Sequence, residues 1–374
     1  MATKHILLTG GGTGGHTYPL IAVARALRKQ HGDAETIIQY IGPHGPLEER
    51  EREAFSAENI KTTFVSAGKV RRYASWQNII DPFRTIWGIL QSLYHVLVYM
   101  PDVVFAKGGY GAVPVVIAAW IYRIPIMVHE SDAIPGVANR ILGKLARRIA
   151  ITYPRAKQFF RERKVALTGI PVRRAVAHGN AERAYARHHL SPEKPLVVVI
   201  GGSQGAQALN IAIIDAAPKL IKHTQILHQT GPTHREYVTH AVARHGIKAG
   251  RDGYTAVDFL SEEEMGDALA AATLVISRAG ASAIAEIAAH STAAILVPLR
   301  NSANNHQYMN AFAVAEVGGA VVLEEGNIGP DMLSETIEEL LNDVALRTAM
   351  GARIERFYHP HAAARIAHGL LEMT

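Results

Sequence analysis

Apolar residues in this chain come in short bursts separated by helix-length stretches. Runs at 6–9, 36–41, 62–66, 103–106, 126–129, 149–151 and 164–167 are too short for helices and read as buried strands. Between several of them the apolar spacing turns helical, which is the pattern of parallel βαβ units. The rhythm restarts at "PLVVVIGGSQGAQALNIAIIDAAPKL" and continues through 224–229, 254–257, 274–277, 294–298 and 320–323. Residues 171–195, rich in Arg, His and Pro, break the pattern and read as a linker. The predicted layout is a first domain over 1–170, a second over 196–342, and a terminal helix over 343–374 whose packing partner the pattern leaves open. Each half opens as strand, glycine loop, helix: "LLTGGGTGGH" and "VVVIGGSQGA". The expected class is α/β, with two Rossmann-like domains facing each other across a cleft.

Composition narrows the function. At 374 residues the chain can bury two cores, and 48% apolar against 19% charged residues describes a globular protein. The absence of cysteine excludes disulfides, thiolate metal sites and thiol catalysis. The apolar stretch at the start is too short before its glycines for a signal peptide. No apolar segment runs the roughly 20 residues a bilayer crossing needs. Pro114, Arg123 and Pro125 interrupt 112–128, and Gln91, Ser92 and His95 interrupt 86–100. A net charge of +6 points to an anionic partner. Without a groove-reading motif or an aromatic single-strand platform, that partner is not expected to be nucleic acid.

Three glycine loops, at 10–15, 108–111 and 201–205, can turn backbone N–H groups toward an anion at a helix start. One such loop reads as a tight turn and nothing more. Three, two of which open equivalent units, point to a phosphate-bearing ligand. Gly10, Gly12 and Gly15 fit a dinucleotide fingerprint, but the next strand ends in Tyr40-Ile41-Gly42 where NAD needs an acid. No glycine precedes Lys-Ser or Lys-Thr, so a triphosphate P-loop is missing. There is no Asp-x-Asp pair to hold a cation on a sugar nucleotide. A bound diphosphate would therefore be met by backbone amides and helix dipoles, with no metal and no cofactor expected.

Six blocks, in this order, carry a resemblance: "LLTGGGTGGHTYPLIAVARAL", "AGKVRRYASWQNIIDPF", "FAKGGYGAVPVVIAA", "PIMVHESDAIPGVANR", "GGSQGAQALN" and "ISRAGASAIAEIAA". Together they resemble the MurG family of bacterial glycosyltransferases over most of the chain, thinning in the linker and toward the C-terminus. The resemblance implies a GT-B fold and inverting transfer of N-acetylglucosamine from UDP-GlcNAc to the MurNAc 4-hydroxyl of lipid I, giving lipid II. It also implies peripheral residence at the cytoplasmic face of the cell membrane and a place in a cell-wall synthesis complex.

Site roles follow from the same resemblance. Donor contacts fall on Thr13, Gly14, Gly15, Asp132, Arg173, Ser203, Gln204, Phe259, Ala281, Ser282, Ala283, Glu286, His306 and Gln307. Among these, Glu286 accepts the ribose hydroxyls, the backbone of 281–283 faces the diphosphate, and main chain near Phe259 and Leu260 reads uracil. Acceptor contacts fall on Gly108, Gly109, Tyr110 and Glu130. Ile170, Asp132 and His306 depart from the residues usual in the family, which are Asn, Asn and Gln.

His16 stands at the exit of the first loop. An imidazole suits removal of the acceptor hydroxyl's proton, and a helix N-terminus disfavours imidazolium. The competing role is to orient a substrate phosphate or Glu130. A lipid acceptor also needs a membrane face. Trp76, Ile79, Phe83 and Trp87 beside Arg71 and Arg72 suit an anionic surface, with Arg140, Lys144, Arg147 and Arg148 extending a basic rim. The plain alternative is an amphipathic helix packed into the core. Two other functions stay open at this level: a transferase of the same fold with a different lipid acceptor, and a nucleotide-sugar binder without activity.

Overall fold

The computed structural model describes residues 2–11, 14–69, 76–202, 206–300 and 305–374. It divides into two compact units, Met1–Val172 with His359–Thr374, and Arg173–Tyr358.

The first unit holds seven parallel strands: β1 (Lys4–Thr9), β2 (Thr36–Pro43), β3 (Lys61–Val65), β4 (Val103–Ala106), β5 (Ile126–Glu130), β6 (Arg148–Ile151) and β7 (Val165–Leu167). Their spatial order is β3-β2-β1-β4-β5-β6-β7. Thr9 pairs with Ile41 on one side and Ala106 on the other, so the order reverses between β1 and β4. Ligands of such sheets bind at that switch point, beyond the strand C-termini. Helices α1 (Gly14–His31), α2 (Glu48–Ser56), α3 (Gln77–Tyr99), α4 (Val113–Ile121) and α5 (Val137–Leu145) complete the βα alternation. Ile6 and Leu8 pack with α1 and α2, while Leu7 packs with α3 and α4. A strand buried on both faces has no polar alternation, which is why β1 reads as an unbroken apolar run.

Helix α3 is inside out. Its buried positions are Asp81, Gly88, Ser92, Val96 and Tyr99, while Ile79, Phe83, Ile86, Trp87 and Leu90 are exposed. Small residues let it lie against backbone: any side chain at Gly88 would strike the Ser66 carbonyl, and any at Gly68 the Asp81 carbonyl.

The second unit repeats the plan with β8 (Leu196–Ile200), β9 (Gln225–Gln229), β10 (Tyr254–Val257), β11 (Leu274–Ser277), β12 (Ala294–Leu296) and β13 (Ala320–Val322). All are parallel in the order β10-β9-β8-β11-β12-β13, with the switch between β8 and β11. Stretch 171–195, expected as a linker, instead forms two short helices, α6 (Arg174–Ala177) and α7 (Ala181–His188). Arg183 pins α7 to the second unit through a two-nitrogen grip on buried Asp267, at 2.9 and 2.7 Å. Helices α8 (Gln207–Leu220), α9 (Arg235–Arg244), α10 (Glu262–Ala271), α11 (Ala281–Ala288), α12 (His306–Ala315), α13 (Pro330–Asn342) and α14 (Val344–Ile354) follow.

The terminal segment is not one helix. Pro360 cannot continue a helical ladder, and after Tyr358 the chain rejoins the first unit, where α15 (Ala362–Leu371) buries Ile366, Ala367 and Leu370 with Ile21 and Leu27 of α1.

Candidate functional site

At the switch point of the first unit, glycine is required by shape. Gly11, Gly108 and Gly109 hold φ of +116°, +95° and +79°, where a side chain is strained. A Cβ on Gly109 would stand 2.9 Å from both the Gly11 carbonyl oxygen and His16 Cε1. His16 is thus wedged between the two loops. Its Nδ1 lies 2.9 Å from the Gly11 carbonyl oxygen, which can only accept. The contact calls for a proton on Nδ1, which in the neutral ring leaves the lone pair on Nε2.

Behind this surface lies a buried polar group. Glu130, at the end of β5, accepts from the backbone of Asp132 at 2.9 Å and Gly136 at 3.3 Å, and from Asn139 Nδ2 at 2.9 Å. Burial, then the nearby Asp132 charge, pushes its carboxyl above the usual range. Lys107, fully buried, donates to Ser131 Oγ. Burial pulls its ammonium down, against the pull of Glu130 and Asp132. His129 donates from Nε2 to the Gly169 carbonyl at 2.9 Å, and burial holds it neutral.

In the second unit, Arg173 donates from Nη2 to Glu286 Oε1 at 2.9 Å. Glu286 rides on α11, whose N-cap Gly280 has no capping side chain, so the first-turn N–H groups of 281–283 lack acceptors within the helix. Asn310 Nδ2 ties α12 to the Ala279 carbonyl at 3.3 Å, holding the loop that leads into α11. Arg278 in that loop pairs with Glu325. Gln229, buried at the end of β9, donates to Gly202 O at 3.4 Å and accepts from Leu260 N at 3.2 Å. One side chain thereby joins the third glycine loop to the segment beside Phe259. Gln307 accepts from Leu299 N at 3.0 Å. Among the described residues, no group of three or more His, Asp or Glu converges where a metal could sit.

Two family models match the chain: the glycosyltransferase family 28 N-terminal domain over residues 6–151 and its C-terminal domain over 196–366. A Bacillus thuringiensis subsp. konkukian protein named UDP-N-acetylglucosamine--N-acetylmuramyl-(pentapeptide) pyrophosphoryl-undecaprenol N-acetylglucosamine transferase 2 is 35% identical over 349 residues, 93% of this chain and 94% of that protein. The like-named transferase of Lachnospira eligens is 36% identical, covering 91% and 92%. The crystal structure of Acinetobacter baumannii MurG superposes with a TM-score of 0.76 at 25% identity, covering 99% of each chain. The chain belongs to the MurG family of family 28 glycosyltransferases.

The fold places His16, Gly108, Gly109, Tyr110, Glu130 and Asp132 around the strand ends of the first unit. It places Arg173, Phe259, Ala281, Ser282, Ala283, Glu286, His306 and Gln307 in the second. Gly14 opens α1 and Gly15 follows in its first turn. Thr13, Arg71, Arg72, Ser203 and Gln204 lie outside the described residues. Leu260 N is occupied by Gln229, so main-chain reading of a base has to rest on Phe259 and its other neighbours. Asn139, Lys107, Gln229, Asn310 and Arg278 escaped the sequence reading as site residues. Three stand inside quoted motifs, in "FAKGGYG", "HESDAIPGVANR" and "ISRAG", and proximity to those motifs was the available signal.

Proposed function

We propose that this protein is an inverting glycosyltransferase that moves N-acetylglucosamine from UDP-GlcNAc to the 4-hydroxyl of the MurNAc of lipid I, producing lipid II and UDP. The second unit takes the donor. Glu286, fixed by Arg173, receives the ribose hydroxyls, and the free N–H groups at the head of α11 face the diphosphate with Ser203 and Gln204. Charge develops on the leaving UDP as the bond breaks, and preorganised N–H donors stabilise it there without needing to reorient. The first unit takes the acceptor along Gly108, Gly109 and Tyr110. His16 Nε2 removes the hydroxyl proton while the oxygen attacks the anomeric carbon from the face opposite UDP.

One observation carries this reading. The Gly11 carbonyl accepts from His16 Nδ1 at the switch point of the sheet, which supports a neutral ring with Nε2 as the base. Access to a lipid is supported by α3 and its N-cap, which expose Trp76 at 68%, Ile79 at 72%, Phe83 at 69% and Trp87 at 58%. No helix among the described residues is long and apolar enough to cross a membrane. Attachment at the cytoplasmic face through this stripe, against anionic lipid, suits an acceptor whose tail stays in the bilayer.

The deciding experiment supplies radiolabelled UDP-GlcNAc with a lipid I analogue. Label appearing in the lipid fraction supports the reading. Turnover only on a different lipid would move the protein to another acceptor, and no turnover on any would leave a nucleotide-sugar binder.

A further inference from the structure

Beneath the first glycine loop lies a carboxyl group that the proposed chemistry does not use. Glu51, on α2, is 3% exposed. Its Oε2 lies 2.9 Å from Tyr40 Oη, and Thr17 Oγ1 of α1 donates to its Oε1 at 3.4 Å. Tyr40 Oη also lies 3.2 Å from the Gly10 carbonyl oxygen. The loop rests on this group: a Cβ on Gly11 would stand 2.9 Å from Tyr40 Oη and 3.3 Å from Glu51 Oε1.

The protons decide what the group does. Tyr40 has one hydroxyl proton and two acceptors, the Glu51 carboxyl and the Gly10 carbonyl. If Glu51 were a carboxylate, Tyr40 would turn to it and leave a buried carbonyl without its donor. Among the described residues, no cation faces Glu51. From β2 comes Tyr40, with Tyr110 near it, from α1 comes Thr17, and from α2 itself comes the anion Glu48. His44 and Arg52 both pair with Glu48.

We infer that Glu51 is a neutral positioning residue: its Oε2–H donates to Tyr40 Oη, which releases the tyrosine proton to the Gly10 carbonyl and fixes the turn that holds His16. Burial raises the Glu51 carboxyl in the same direction. The activity arm of the test rests on the function proposed above. The proton count does not.

Glu51→Gln is the isostere of the protonated acid, since its amide donates to Tyr40 and its carbonyl accepts from Thr17. It should keep kcat close to wild type. Tyr40→Phe should lower kcat by roughly fivefold to tenfold, about what one neutral hydrogen bond is worth. Its acceptor KM should move little. Wild-type kcat should fall at high pH, as ionised Glu51 takes back the tyrosine proton, and that limb should vanish in Glu51→Gln. Independently of turnover, infrared difference spectra at neutral pH should show a protonated carboxyl band in wild type that is lost in Glu51→Gln and shifted in Tyr40→Phe. Absence of the band, or a soluble Glu51→Gln as impaired as Glu51→Ala, overturns the inference. If wild type fails to transfer to lipid I but shows the band, only the acceptor reading falls.

Discussion

Arg173 Nη2 reaches Glu286 Oε1 at 2.9 Å, and the two side chains are only 10% and 17% exposed. One carboxylate oxygen is thus committed to the protein, and in the proposed reading the other meets the ribose diol. Because the pair is so little exposed, removing Arg173 strips the buried Glu286 carboxylate of its donor, whereas Arg173 keeps Glu262 3.7 Å from its Nη1 when Glu286 is removed.

Glu286→Ala should therefore raise the donor KM by roughly tenfold to a hundredfold, the worth of a hydrogen bond to a charged group. Arg173→Ala should cost nearly as much, and the double variant little more than either. Donor titration by calorimetry across the four proteins reads this out. Full additivity would mean that the two residues act apart.

His16→Ala should lower kcat by about a hundredfold or more, as expected for loss of general base catalysis, with donor affinity unchanged. Donor titration and single-turnover rates separate the two effects. A variant with normal kcat would return His16 to an orienting role.

Gly109→Ala tests the wedge between the loops. Its φ of +79° and a Cβ 2.9 Å from the Gly11 carbonyl oxygen make alanine strained and colliding at once. The variant should be less stable by about 1 kcal/mol or more and should lose turnover. Gly246→Ala, also at positive φ but with open space around it, should lose stability alone.

The turn motifs and the site differ in how far the sequence reveals them. Buried central strands such as Leu196–Ile200 announce themselves as apolar runs, and a glycine loop after each marks the switch point. Glu286 was singled out in the sequence because it sits inside a recognisable motif. Gln229 and Glu51 were not, because a lone polar residue says nothing of partners that lie 27 residues or more away in one case and across two elements in the other. The helix at Ala181–His188 carried a readable signal in Asn180, whose side chain caps it by accepting from Arg183 N at 3.2 Å. Its few apolar residues hid the periodicity.

Acid should weaken the second unit. His228 is buried between Tyr254 Oη at 2.6 Å and Asn210 Oδ1 at 3.0 Å, and burial pushes its pKa down to about 3. The unfolded chain binds the proton near pH 6.5, so between these values it holds more protons than the folded one. Stability then rises with pH across that window and is lost on acidification, by up to roughly 1.4 kcal/mol per pH unit from this group. Melts at successive pH values should show that slope, and His228→Gln should flatten it at some cost in stability near neutrality.

The α3 stripe makes a separate forecast. Replacing Phe83 and Trp87 with Glu should weaken binding to anionic vesicles by about tenfold or more, since each ring removes roughly 1.5–3 kcal/mol of apolar transfer. The melting temperature should hold, because both side chains already face solvent. Unaltered vesicle binding would count against this face.

The return of the last helix to α1 sets an order on synthesis. Residues 6–151 leave a ribosome before the second unit does, yet the patch formed by Ile21, Leu27 and Met127 gains Ile366 and Leu370 only after the second unit has been made. Until then that oily flank stays without its cover, and of the two units the one begun earlier is the one completed later.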